Sequence, residues 1–353
     1  MHELISFEEI CSARERIAGV AERTPLVRLT RARLRLSGWP ELSESVADIY
    51  LKNEAAQPIG SFKLRGAYNK IAQLTPEELR RGVITYSSGN HAQGVAYAAR
   101  ALGAKAVIVM PENAPGIKRE ATAALGAEIV TVGPASKERL AKAEELVAKH
   151  GYVMVPPYDD EAIIAGQATC GLEILEQMPD VGLVLSPVSG GGLLSGVATG
   201  IKLACEAAKR PAPRVWGCEP ELAGDACESF ITKTLVEWPA EKTTRTIADG
   251  LRTQSLGERN FRHILRFADG IVTVTEEEIR TALRILWAAS PMVAEPSGAV
   301  ALAAALFHAD KLPRARKVVA IVSGGNLDPA LRAEMEEADA NQAGANHEGA
   351  SHV

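Results

Sequence analysis

A chain of 353 residues, 46% apolar and 24% charged, carries enough material for one large or two closely joined domains. Its net charge of -5, with lysines and arginines interleaved among acids, excludes the basic footprint of a nucleic-acid binder. No segment approaches the roughly 20 apolar residues of a bilayer span, and five cysteines without metal spacing suit a reducing compartment, so a cytoplasmic protein with no membrane partner is expected.

Ser6-Phe-Glu-Glu9 has the form of a capping box, and Ile10, Ala13, Ile17 and Val20 recur at helical spacing, so the chain opens with an amphipathic helix that Arg23-Thr-Pro-Leu26 stops. A loop of mixed Gly, Pro, Ser and Glu over Ser37 to Ala47 precedes a short strand, Asp48 to Lys52, expected to open a smaller domain. The stretch Gln57-Pro-Ile-Gly-Ser-Phe-Lys-Leu-Arg-Gly-Ala67 then sets Lys63 between a glycine-led turn and the start of a helix. Thr75-Pro-Glu-Glu78 starts the next helix, with proline at its first position.

From there strand and helix alternate. Val83 to Tyr86, Ala106 to Met110, Glu128 to Val132 and Tyr152 to Val155 read as buried strands, with helices such as Ala92 to Leu102 and Ser136 to His150 between them. A helix from Glu161 leads to the strand Gly182 to Val188, a glycine loop, a helix from Leu193 to about Ala208, and strands at Arg214 to Cys218, Ile271 to Val274 and Lys317 to Val322. This rhythm predicts an α/β fold of two open, mostly parallel sheets with helices on both faces. The expected division is a discontinuous large domain, 1–47 plus 156–337, a small domain, 48–155, that closes over substrate, and a disordered tail, 338–353, that lacks apolar periodicity.

Three further polar, glycine-rich loops directly follow predicted strands: Ser87-Ser-Gly-Asn-His91, Ser189-Gly-Gly-Gly192 and Ser323-Gly-Gly-Asn326. Open α/β sheets hold their ligands there. A lysine at a helix start faces the positive end of the dipole, which disfavours ammonium and leaves an amine able to attack carbonyls. Glycines before a helix let backbone N–H groups converge on a phosphate. Cys218-Glu-Pro-Glu-Leu-Ala-Gly-Asp225 carries two acids six residues apart, with oxygens of the kind hard divalent cations take. Taken singly, each stretch also has a plain reading as a surface lysine, tight turn, helix cap or solvated acidic turn.

In combination and in this order, the loops resemble those of the fold type II pyridoxal-phosphate enzymes, with a tryptophan synthase β-like fold, and within them the threonine/serine dehydratase and serine racemase branch. The resemblance runs from about Ile17 to about Ala330. It implies that Lys63 carries pyridoxal 5'-phosphate as an imine and, once free, removes the substrate Cα proton. It also implies that Phe62 packs on the cofactor ring, that Gly190, Gly191, Gly192 and Leu193 hold the phosphate, and that Asn90 and Ser323 bond the 3'-oxygen and the pyridine nitrogen. Ser87, Asn90 and His91 would bind substrate, Ser88 would act as an acid or base, and Arg139 would reach the substrate carboxylate on closure. Mg2+, Mn2+ or Ca2+ would sit on Glu219, the Ala223 carbonyl and Asp225. A neutral hydroxyl at Ser323 leaves the ring nitrogen largely unprotonated, which favours loss of a β-substituent over transamination.

Two positions depart from the family pattern: Ile59 stands where threonine is common, and Tyr158, in Pro157-Tyr-Asp-Asp160, where racemases often have asparagine. The second argues for a dehydratase. The implied activity is an ammonia-lyase converting L-threonine, L-serine or a similar β-hydroxy amino acid to a 2-oxo acid and ammonia by β-elimination. Serine racemase and 3-hydroxyaspartate or phenylserine dehydratase are alternatives, and a non-catalytic phosphate-binding module is the alternative of another class. The family habit implies a homodimer or homotetramer, and with little chain after Glu337, feedback control through a regulatory domain is not expected.

Overall fold

The computed structural model describes residues 4–30, 34, 48–87, 89–112, 114, 116–133, 136–290 and 292–337. Ser88, the loop 37–47 and the tail 338–353 lie outside the described residues. Helix α1 (Phe7–Ile17) begins at the expected capping box: the Glu9 N–H donates to the Ser6 hydroxyl at 3.2 Å, and the Ser6 N–H donates to the Glu9 carboxylate at 2.7 Å. Past its stop lies a four-residue strand too short to signal itself by alternation, β1 (Leu26–Leu29), antiparallel to β2 (Asp48–Asn53).

The chain continues through α2 (Lys63–Ile71), α3 (Pro76–Arg81), β3 (Val83–Tyr86), α4 (Asn90–Ala101), β4 (Ala106–Pro111), α5 (Gly116–Ala124), β5 (Glu128–Val132), α6 (Ser136–His150) and β6 (Val153–Met154). There follow α7 (Glu161–Gln177), β7 (Leu183–Pro187), α8 (Gly192–Ala207), β8 (Arg214–Pro220), α9 (Asp225–Thr232), α10 (Ala240–Thr243) and α11 (Glu258–Phe267). The last elements are β9 (Gly270–Val274), α12 (Glu276–Ala289), α13 (Pro296–Phe307) and β10 (Lys317–Val322).

The strands form a six-stranded sheet, β1-β2-β10-β7-β8-β9, and a four-stranded sheet, β5-β4-β3-β6. Every pairing is parallel except β1 with β2. Period-two alternation divides each strand between two cores. Val318, Ala320 and Val322 of β10 join α12 and α13 on one face, while Val319 and Ile321 join α7 and α8 on the other. In the smaller sheet Ile108 and Met110 face α2 and α4, whereas Val107 and Val109 face α6.

The strand expected to open the smaller domain belongs instead to the larger sheet. Ile49 of β2 lies opposite Val318 and Leu51 opposite Ala320, and both bury into the core beneath α13, so the chain enters the smaller sheet only at Val83. This topology arranges the loops. Because β2, β10, β7 and β8 are successive parallel neighbours, their carboxyl ends share one edge at a spacing of about 5 Å per strand. From that edge issue, in order, the segment into Lys63, the 323–326 loop, the 189–191 loop and the acidic turn before α9. No helix among the described residues is long and apolar enough to cross a membrane.

Candidate active site

Lys63 is the first residue of α2. Its Nζ donates to the Pro157 carbonyl at 2.8 Å and lies 5.1 Å from the centre of the Phe62 ring. Part of the side chain keeps solvent access, yet the protein packed about it strips water from the ammonium and lowers it to about 8. Two residues further on, Arg65 fixes the helix from below: it grips Glu54 through two bonds of 2.8 Å and Glu173 through bonds of 2.7 and 2.9 Å. Lys52 completes the cluster on Glu173 at 2.6 Å.

Lys63 is tied to both flanking loops. The Phe62 N–H donates to the Ser323 carbonyl at 3.1 Å, the Gly325 N–H to the Gly60 carbonyl at 2.9 Å, and Ser61 bridges Gly324 in antiparallel fashion. On the other side, Pro157 leads into Tyr158, whose ring covers the glycine loop: a Cβ at Gly190 would lie 2.5 Å from it, and one at Gly192 would lie 3.0 Å from the Tyr158 Cβ. Gly191 holds a φ of +94°, and a Cβ there would lie 2.8 Å from that of Asn260, so glycine is required by both conformation and space. Behind this turn stand the first-turn N–H groups of α8, which have no acceptor within their own helix. An enclosed amine with a lowered pKa, a cradle for an anion, a buried hydroxyl at Ser323 and a carboxamide at Asn90 form a donor set that fits an aldehyde-bearing phosphate.

The remaining expected residues fall as follows. Asn90 begins α4, donates from Nδ2 to Glu295 at 2.7 Å, and accepts on Oδ1 from Asn326 at 2.6 Å. The Ser87 hydroxyl accepts from the Gly89 N–H at 3.4 Å, and Ser88 lies outside the described residues. His91 Nε2 meets the Val155 carbonyl at 3.0 Å, while burial and then the Lys63 charge push the ring down to about 3; its neutral ring thus fastens α4 to the end of β6. The Ser323 hydroxyl has a 3.4 Å bond to the Ser297 carbonyl, long enough to leave it orientable. Leu193 gives its N–H to the first turn of α8 and its side chain to the core. Arg139 is half-buried near the start of α6, and because β3, β4 and β5 are parallel that start opens at the same sheet edge as the loop before Asn90.

Glu219, near the end of β8, and Asp225, at the start of α9, are both buried. Glu219 Oε2 accepts from the Cys227 N–H at 2.9 Å, but Glu219 Oε1 and both carboxylate oxygens of Asp225 have no hydrogen-bond partner among the described residues. Burial, with the Asp225 charge added, raises Glu219 well above the ordinary carboxylate range, and burial lifts Asp225 to about 7. Buried acceptors lacking donors suit a cation. Among the described residues no group of three or more His, Cys, Asp or Glu side chains could hold a metal, so the set here is two carboxylates and the buried turn at Ala223.

Several participants were not visible in the sequence: the Pro157 carbonyl on Lys63, Glu295 on Asn90, and the ion pair of Lys118 with Asp249, which joins α5 to the turn Asp249–Leu251. Glu295 lies 205 positions from Asn90, and no local pattern signals such a contact.

The sequence profile of the family described as "Pyridoxal-phosphate dependent enzyme" matches residues 17–324. The chain is 38% identical over 325 residues to the L-threonine dehydratase catabolic TdcB of Escherichia coli (strain K12), covering 92% of this chain and 94% of that one. It is 37% identical over 323 residues to the L-threo-3-hydroxyaspartate ammonia-lyase of Saccharomyces cerevisiae, covering 92% and 94%. Its fold superposes with a TM-score of 0.82 on the crystal structure of a T.th. threonine deaminase, at 43% identity, covering 92% of this chain and 99% of that one. With its lysine, glycine cradle and buried serine at one sheet edge, this chain belongs to the pyridoxal-phosphate dependent enzyme family.

Proposed function

We propose that the protein is an ammonia-lyase for a small β-hydroxy amino acid, L-threonine or L-serine first, with Lys63 as its central group. The observation that carries this reading is the enclosed Lys63 amine, lowered to about 8, with its Nζ on the Pro157 carbonyl and its neighbour Phe62 bonded to the Ser323 loop, in a chain that shares 38% identity with a threonine dehydratase. When bound, pyridoxal 5'-phosphate supplies a carbonyl for the substrate amine and a conjugated ring that spreads the charge left at Cα.

The protein's part is positional and protolytic. Gly190, Gly192 and Leu193 hold the phosphate with backbone N–H groups, Gly191 closes the turn beneath it with its N–H on the Val188 carbonyl at 3.1 Å, Phe62 packs against the ring, and Asn90 and Ser323 orient it. Ser87, Asn90 and His91 line the substrate side, Arg139 stands at the same edge, and Ser88 is assigned from its sequence position as an acid or base. Lys63 takes the Cα proton on Nζ, with a pKa close enough to neutrality for general-base work. Water lost with the β-hydroxyl is regained on hydrolysis, so the amino acid becomes a 2-oxo acid and ammonium without net water.

Glu219, the Ala223 carbonyl and Asp225 hold a divalent cation. The four-stranded sheet with its helices acts as the small domain that closes over substrate, and the chain works as a homodimer or homotetramer. The five free thiols support a cytoplasmic setting. A panel of D- and L-serine, threonine and 3-hydroxyaspartate, read by 2-oxo acid release and chiral analysis of residual substrate, tests the reaction. L-Threonine or L-serine should release the oxo acid fastest. Release from 3-hydroxyaspartate alone would move the substrate to that of the yeast relative, and racemisation without release would overturn the lyase reading.

A further inference from the structure

Glu295 sits beside the site yet has no part in the reaction described above. Its carboxylate is buried at the start of α13, Oε1 accepts from Asn90 Nδ2 at 2.7 Å, and its own N–H donates to the Gly324 carbonyl at 3.1 Å. The glycines of the 323–326 loop make room for this seat: a Cβ on Gly324 would collide with Glu295 Oε1, and one on Gly325 with the Val293 carbonyl. The far side of Asn90 is held too. Asn326 Nδ2 donates to Asn90 Oδ1 at 2.6 Å and to the Ile59 carbonyl at 2.9 Å, four residues before Lys63.

A carboxylate only accepts, and one end of a carboxamide only donates. Glu295 therefore decides which way the Asn90 amide faces: Nδ2 toward itself, Oδ1 toward Asn326, and the second N–H of Nδ2 left for a ligand. We propose that Glu295 is a positioning residue, whose buried carboxyl sets the Asn90 carboxamide so that its spare N–H serves the oxygen of the bound coenzyme, and which through Asn326 joins the start of α4 to the loop before Lys63. This rests on the reading of Lys63 as the coenzyme site.

Among the described residues the charged groups that act on Glu295 are Asp249 and Lys118; Asn90 and Asn326 are neutral. Burial, with the Asp249 charge added, lifts the carboxyl to about 7 against the Asn90 bond and Lys118. Lys118 and Asp249 are themselves paired, and the turn that carries Asp249 is held where the Gly250 N–H donates to Ser297 Oγ at 2.9 Å. Ionised Glu295 accepts more strongly than its neutral form, so the hold on Asn90 weakens as pH falls through about 7.

The experiment is equilibrium titration of the coenzyme-free protein with pyridoxal 5'-phosphate, read by absorbance, between pH 6 and 8. Glu295→Ala should weaken binding about tenfold or more, the scale of one lost hydrogen bond to a charged group, while Glu295→Gln, which keeps an acceptor, should stay within about threefold of the wild type. The wild type should bind more weakly at the acid end, partly because the Lys63 amine holds its proton there, and Glu295→Gln should lose only the part with a midpoint near 7, keeping the Lys63 part. Glu295→Ala and Asn90→Ala should be non-additive in a double-mutant cycle. Unchanged affinity in Glu295→Ala, or strict additivity with Asn90→Ala, overturns the proposal. Should Glu295→Ala not fold, a pH dependence in Glu295→Gln equal to that of the wild type, with nothing lost beyond the Lys63 component that both share, overturns it instead. A wild-type protein that takes up no coenzyme overturns the Lys63 reading and this proposal together, an outcome distinct from tight binding that ignores Glu295.

Discussion

At the scale of single residues, what distinguishes Lys63 from an ordinary surface lysine is the cost of keeping a charge away from water. Its folded value of about 8 lies below the ordinary 10.5. The unfolded chain therefore holds a proton that the folded chain gives up between those values, and the stability lost to the buried ammonium below pH 8 returns as pH rises through that window. The same titration governs reactivity, since only the neutral amine attacks an aldehyde. The rate of coenzyme uptake, followed by stopped-flow absorbance, should rise with pH to a midpoint near 8; a rate that stays level from pH 6 to 9 would contradict this. The position of Lys63 was legible because a glycine turn and a helix start are local signals. The Pro157 carbonyl that holds its Nζ, 94 positions away, was not, because a backbone acceptor leaves no mark on residue type.

At the scale of elements, α2 points Lys63 into the site because Arg65 anchors its first turn. Burial would raise the Glu54 carboxyl, but the charge and bonds of Arg65, aided by Lys52 and Thr24, hold it down at about 2. That value lies below the ordinary 4.5, so the ion cluster contributes stability that is fully present above pH 4.5 and is lost as pH falls toward 2. Glu54→Ala leaves a buried guanidinium short of a partner and should cost about 3–5 kcal/mol in urea unfolding at pH 7, the gap from wild type closing below pH 4.5. A loss under about 1 kcal/mol, the range of an exposed pair, would contradict it. Apolar runs followed by polar, glycine-rich loops made the strands and their loops readable in sequence order. The sheet that β2 joins was not readable, because its partner is β10, at the far end of the chain, and proximity to Lys63 suggested the smaller domain.

At the scale of the whole molecule, two sheets meet around one edge, and the acidic pair beside that edge acts on the stability of the whole. Asp225 at about 7, and Glu219 held well above the ordinary carboxylate range by burial and the Asp225 charge, bind protons in the folded state that the unfolded chain has already released. Without a cation, stability therefore falls as pH rises through about 7. Mg2+, Mn2+ or Ca2+ should reverse this, adding about 2.7 kcal/mol at a hundredfold excess over the dissociation constant. The gain in melting temperature should be larger at pH 8 than at pH 5 and absent in Glu219→Gln. Equal melting curves with each cation and with a chelator at pH 8 would remove the metal assignment and leave the reading of Lys63 intact. The most direct measurement of the account is borohydride reduction of the coenzyme-loaded protein, followed by peptide mass spectrometry. The mass of the reduced coenzyme should lie on the peptide containing Lys63, with none retained in Lys63→Ala; label on another lysine, or label that survives in Lys63→Ala, would contradict it.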